Sequence, residues 1–371
     1  MKSLLQFLRL FENGKPITFQ QFLKEAQVKS INKMTPLKTY MEQRNISQED
    51  IRLLYQHIIT RDEYLTRFFQ TSLEVDNLKI TDEPMPRTNL DNNKLVKYKN
   101  IIRSLHMRNI LQRTKSGLDN VPSYLDVVFD LYKKSIIDYK ILTPSAIHYI
   151  REGRIGSVFS SFYFRASIMN PYLVYSLNHR VLKGSRIFTP TLGWTSYAYG
   201  FAECPFVKEY VGVDVIEDVC SKTEMFLKSY PAIDARIYCT PSESLLTNQT
   251  FLNTYREHFD TVFFSPPYYE LELYPGKSQS TTVYKTYDEW LQGYWLGTIQ
   301  LCHYVLKKGG TMCYILSEGG GKNQTHILKD MNEITKKLFR LKTTIPMYNK
   351  NVYVTSSDHR DTSEKIVVFI K

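Results

Sequence analysis

The stretch Phe259-Asp-Thr-Val-Phe-Phe-Ser-Pro-Pro-Tyr-Tyr269 decides the fold. An apolar run long enough for one buried strand passes directly into Ser265, two prolines and two tyrosines. That is the carboxyl end of a strand, where an open α/β sheet places its ligand crevice. Consecutive prolines give up two backbone donors and stiffen the chain. A hydroxyl, rigid carbonyls and an aromatic ring within four residues make a receptor for a planar group bearing an amine. Working outward, residues 186–189, 210–214, 236–239 and 311–316 are further short β-rich runs, separated by stretches long enough for crossover helices. This spacing predicts a doubly wound, mostly parallel sheet. Residues 341–347 and 365–370 flank a Ser/Asp/His/Arg-rich turn near 355–363 and predict an antiparallel hairpin at one sheet edge.

Upstream of about residue 150 the texture is helical, so two domains are expected, 1–150 and 151–371. Ser47 followed by Asp50 reads as an N-cap pair opening a helix over 51–69, and residues 74–93, rich in Pro and Asn, read as a polar loop. Residues 94–115 carry seven basic side chains and no acid. The first 150 residues hold 23 Lys and Arg against 16 Asp and Glu, the remaining 221 hold 25 against 21, and the whole chain carries +11. This basic excess favours a polyanionic partner, with Lys94, Lys97, Lys99, Arg103 and Arg108 as candidate phosphate contacts. The bland alternative is the solvated face of a helix whose Ile101, Ile102 and Leu105 point inward.

A chain 43% apolar and 13% aromatic excludes disorder along most of its length. Five cysteines without a CxxC pair point to a reduced, intracellular protein. The apolar opening of the chain is interrupted by Gln6, Arg9 and Glu12 and reads as an amphipathic helix. No membrane partner is expected, because no window approaches about 18 uninterrupted apolar residues. The eight histidines never pair at metal spacing, and no nucleophile elbow or phosphate loop appears, so no metal is expected. Gly319-Gly-Gly-Lys-Asn reads as a loop.

Over residues 165–371 the chain resembles the S-adenosylmethionine-dependent DNA amino-methyltransferases that act on adenine N6 or cytosine N4. Their Asp, Asn or Ser before Pro-Pro-Tyr or Pro-Pro-Phe is matched by Ser265, Pro266, Pro267 and Tyr268. The resemblance is strongest to a phage and large-virus branch, through Thr189-Pro-Thr-Leu-Gly-Trp-Thr195, Tyr287-Asp-Glu-Trp290 and Leu306-Lys-Lys-Gly-Gly310. It implies a class I, Rossmann-like α/β fold with a seven-stranded, mostly parallel sheet and an antiparallel edge hairpin; the first 150 residues, which it does not cover, are expected from their helical texture and charge to form a separate N-terminal domain that binds nucleic acid or a protein partner. It implies S-adenosylmethionine as cofactor, held by Thr189, Pro190, Gly193, Trp194, Asp214 (ribose hydroxyls) and Glu243 (adenine), and a nucleic-acid substrate, DNA rather than RNA. It also implies that the Ser265 hydroxyl and Pro266 carbonyl accept the amine hydrogens while Tyr268 stacks on the base, which a duplex must first flip out. Residues 270–286 would close over substrate, with Lys277 and Lys285 on phosphates. Two departures stand out: Thr189 replaces the family's leading Asp, and Thr195 replaces the second glycine of its Gly-x-Gly. They predict a bulkier cofactor turn, one carboxylate poorer, and leave open an inactive subunit that binds nucleic acid or a partner.

Overall fold

The computed structural model describes residues 4–12, 17–31, 33–71, 79–117, 121–317, 326–347 and 364–371. The loops expected at 319–323 and 355–363 lie outside them. The chain forms two compact units: residues 1–74 with 107–166, and residues 75–106 with 167–371.

The first unit is not purely helical. A small sheet has Gln27–Ser30 at its centre, antiparallel to Lys33–Pro36 and parallel to Ile136–Asp138. Ser47 caps the helix Gln48–Ile59 by accepting the Asp50 amide at 3.1 Å, and Ile51, Leu54 and Ile58 are buried on one face. The helix expected to run to residue 69 stops at Thr60, and Arg61–Thr71 starts anew. Asp50 receives a bidentate pair from Arg151, at 2.7 and 3.0 Å, fixing the helix Pro144–Arg151 against it.

The second unit holds the seven-stranded sheet. Its strands are β1 (Arg186–Thr189), β2 (Glu209–Asp214), β3 (Asp234–Cys239), β4 (Phe259–Phe264), β5 (Leu306–Ser317), β6 (Arg340–Pro346) and β7 (Glu364–Ile370), in the order 3-2-1-4-5-7-6. All pairs are parallel except β5 with β7 and β6 with β7. The order reverses between β1 and β4, so the crevice opens at their carboxyl ends. β4 is buried along nearly its whole length, as an apolar strand with neighbours on both sides must be. Because β7 alone runs antiparallel to β5, its first residue, Glu364, pairs with Ser317 at the carboxyl end of β5 and so at the crevice.

The division differs from the expected boundary at residue 150. Residues 79–106 pack with the sheet unit, burying Ile80, Met85, Leu90, Tyr98 and Ile102. The Ile80 amide donates to Glu203 at 2.6 Å, the Met85 amide to Ser176 at 3.0 Å, and the Asn170 side chain to the Lys94 carbonyl at 2.6 Å. Residues 74–93 read as a loop because what ties this strap down is its own backbone, bonded to side chains of distant residues. The basic stretch is thereby split, Lys94 to Arg103 in one unit and Arg108 to Lys115 in the other.

Candidate active site

The carboxyl ends of β1, β2, β3 and β4 frame one open cavity, with Glu364 at the start of β7 on its wall. Pro190, Gly193, Trp194, Asp214, Glu243, Ser265, Pro266, Pro267 and Tyr268 all line it. Residues drawn from four different strand ends thus meet at one place.

After β1 the chain turns through three successive left-handed residues, Gly193, Trp194 and Thr195, with φ of 50°, 59° and 69°. Such a conformation is uncommon for Trp and costly for β-branched Thr, and persists where surroundings fix it. Thr195 is fully buried, and its hydroxyl meets the Thr223 hydroxyl and the His106 ring, both at 2.8 Å. Burial lowers the His106 pKa to about 3, so the ring is neutral and suited to this bond. Thr195 therefore points away from the cavity and does not line it. The bulkier cofactor turn expected from the sequence is corrected: the extra atoms anchor the turn from behind. Thr189 is likewise fully buried, bonded to the Tyr210 hydroxyl at 2.7 Å, and stands outside the lining.

Gly193 is needed for a reason the sequence did not reveal. A Cβ there would meet the Tyr197 ring at 2.1 Å, and that ring is what fixes Ser265. The Tyr197 hydroxyl accepts the Ser265 amide at 3.0 Å and donates to the Ser265 carbonyl at 3.3 Å. Gly193→Ala is expected to lower stability by about 1–3 kcal/mol, through overpacking and a strained φ, and to displace Ser265 through Tyr197. A thermal melt unchanged from wild type would show that the ring moves aside freely.

Ser265 follows β4 directly. Its hydroxyl donates to the Ile315 carbonyl on β5 at 3.0 Å, which directs its hydrogen into the sheet and leaves oxygen lone pairs for an incoming donor. Tyr268 donates to Glu364 at 3.3 Å.

Asp214, ending β2, accepts the Leu192 amide at 3.1 Å and the Ile216 amide at 3.0 Å. Burial raises its pKa, opposed by these amides and that of Val215. Glu243 accepts from the Tyr284 hydroxyl at 3.3 Å, and burial raises its pKa too. Residues 270–286 form one wall, through Leu271, Glu272, Tyr274 and Ser278 to Ser280. Glu272 is bonded to the Tyr274 hydroxyl and accepts the Ser167 amide at 2.8 Å. A capping box between Thr286 and Glu289 opens the expected helix at Tyr287.

Glu272, Tyr274 and Gln279 line the cavity from the loop expected to close over substrate, while Asn92, Met169 and Glu364, which also line it, were missed and belong to no local motif. Only Glu364, opening the last strand of an antiparallel edge, carried a positional signal. Among the described residues, Asp214, Glu243, Glu272 and Glu364 put four carboxyl groups around the cavity, and no Lys or Arg lines it.

The candidate phosphate contacts lie outside this lining. Lys94, Arg108, Lys277 and Lys285 are exposed. Lys97 pairs with Asp82 at 3.1 Å, Lys99 donates to Asn93 at 3.1 Å, and Arg103 donates to Asn100 at 2.8 Å. No group of His, Cys, Asp and Glu among the described residues could hold a metal ion, and no helix there is long and apolar enough to cross a membrane.

The strand order 3-2-1-4-5-7-6, with strand 7 antiparallel, is that of the class I methyltransferase fold. No protein-family model matches the chain, and no curated protein matches it. Similar solved structures include a methyltransferase from Pyrococcus furiosus, 17% identical over 55% of this chain and 83% of that one, with a TM-score of 0.34. TrmN from Thermus thermophilus is 13% identical over 55% of this chain and 49% of that one, TM-score 0.35. The N-methyltransferase NodS from Bradyrhizobium japonicum, in complex with S-adenosyl-L-homocysteine, is 13% identical over 54% of this chain and 83% of that one, TM-score 0.33. At these values the likeness is one of fold and says nothing of substrate.

Proposed function

We propose that the protein transfers a methyl group from S-adenosylmethionine to the exocyclic amine of adenine (N6) or cytosine (N4) in nucleic acid, DNA rather than RNA. The observation that carries this reading is Ser265: its hydrogen is engaged by the Ile315 carbonyl and its backbone is clamped by Tyr197, so its oxygen is a fixed acceptor beside the rigid Pro266-Pro267 carbonyls. An aromatic amine is a poor nucleophile because its lone pair is delocalised into the ring. Two acceptors on its hydrogens draw the nitrogen toward a tetrahedral, nucleophilic form, and orientation and electrostatics supply the acceleration.

The donor set fits S-adenosylmethionine. Among the described residues, the carboxyl groups of Asp214, Glu243 and Glu272, with no lysine or arginine in the lining, suit a sulfonium. Asp214 has the strand-end position from which a carboxylate accepts ribose hydroxyls, Glu243 stands after β3 for the adenine, and Pro190, Gly193 and Trp194 bound the methionine end. When bound, the cofactor supplies an electrophilic methyl group. Thr189 and Thr195, which opened the reading as an inactive subunit, put no side chain into the cavity.

Labelled S-adenosylmethionine offered with DNA, RNA or protein tests the reading: label is expected in DNA, and label in protein alone would overturn it. Neutralising the exposed Lys94, Lys97 and Lys277 together is expected to weaken DNA binding for all sequences alike. It should flatten the dependence of log affinity on log salt by roughly one unit for each phosphate no longer neutralised. An unchanged slope would mark these as solvated surface charges.

A further inference from the structure

The transfer proposed above releases one proton, and Ser265, unlike the acidic residue that the motif carries in many other proteins, has no charge with which to take it. The cavity supplies a carboxyl group nearby. Glu364 lines the cavity with Ser265 and Tyr268 and accepts the Tyr268 hydroxyl at 3.3 Å. Tyr268 and Glu364 thus form a bonded pair of oxygens on the wall of the cavity that Ser265 also lines. Resting on that functional reading, we propose that Glu364 is the proton acceptor of the reaction, reached through Tyr268.

The balance closes without a further reactant. The amine lone pair forms the new N–C bond as the S–C bond breaks with its electrons on sulfur, leaving a neutral thioether and a positively charged nitrogen. One N–H proton passes to the Tyr268 oxygen as the phenol gives up its own hydrogen. The Tyr268 hydrogen moves to Glu364, and the carboxylate becomes a carboxylic acid that later loses its proton to solvent. Burial raises the Glu364 pKa, the Tyr268 hydrogen bond and the charge of Lys99 opposing, so the carboxylate is a stronger base than an exposed one. Among the described residues, Tyr268 on the catalytic loop and Lys99 on the helix Lys97–Leu105 are the titratable groups acting on it. A raised acceptor pKa predicts that the transfer rate climbs as pH rises through it, since the base must be ionised beforehand.

The test compares wild type, Glu364→Gln, Glu364→Ala and Tyr268→Phe in single-turnover transfer from S-adenosylmethionine to a mixed-sequence oligodeoxynucleotide, across pH, with cofactor affinity measured in parallel. Glu364→Gln and Tyr268→Phe are expected to lower the rate by about 100-fold and abolish the ascending limb. Cofactor affinity should stay unchanged, and formate should restore part of the Glu364→Ala rate. Independently of activity, infrared difference spectra of the cofactor-free protein should show a carboxylic-acid band that titrates above the ordinary glutamate range and vanishes in Glu364→Gln. Transfer by Glu364→Gln at the wild-type rate with the same pH profile overturns the relay and leaves the functional reading standing. Cofactor binding without transfer to any nucleic acid in wild type overturns both.

Discussion

Ser265→Ala is expected to lower methyl transfer by about 100- to 1000-fold, the scale for losing one well-placed transition-state hydrogen bond, with affinity for S-adenosylmethionine unchanged. The side chain faces the proposed amine and not the cofactor, and its removal leaves the Tyr197 clamp on the backbone of residue 265 intact. The loss should therefore appear in turnover. Single-turnover kinetics with calorimetric cofactor titration checks both halves. Full activity in the mutant would remove the amine-acceptor role.

Asp214→Ala is expected to do the opposite. Hydrogen bonds to a charged group are worth about 1.5–3 kcal/mol, so removing the ribose hydrogen bonds should raise the cofactor's dissociation constant by roughly 10- to 100-fold, with turnover at saturation much less affected. Asp214 also holds the Leu192 and Ile216 amides, so Asp214→Asn, which keeps one acceptor oxygen, is expected to fall between wild type and alanine. Wild-type affinity in the alanine variant would reduce Asp214 to a loop cap.

What was legible in the sequence was what is local. The strand running into Ser265, the strand-end Asp214 and the alternation of short apolar runs each carry their signal within a few residues, and together they predict the doubly wound sheet with its antiparallel edge. Long-range matters were not legible. That residues 79–106 strap the sheet unit depends on bonds from Ile80 to Glu203 and from Asn170 to Lys94, more than 70 residues away in each case. Thr195 read as a liability because a side chain's direction is set by its φ and its distant partners, His106 and Thr223. Gly193 stood out only as a cofactor contact, whereas what forbids a side chain there is the Tyr197 ring. Glu364 is brought to the crevice only by the reversed direction of the last strand, a property of topology and not of any motif.

Mass spectrometry of nucleosides from DNA incubated with the protein and S-adenosylmethionine tests the central claim most directly. The expected product is N6-methyladenine or N4-methylcytosine, dependent on the cofactor and absent when Ser265→Ala replaces the wild type. Methylation confined to a ring carbon, or to the nucleosides of RNA alone, would contradict it.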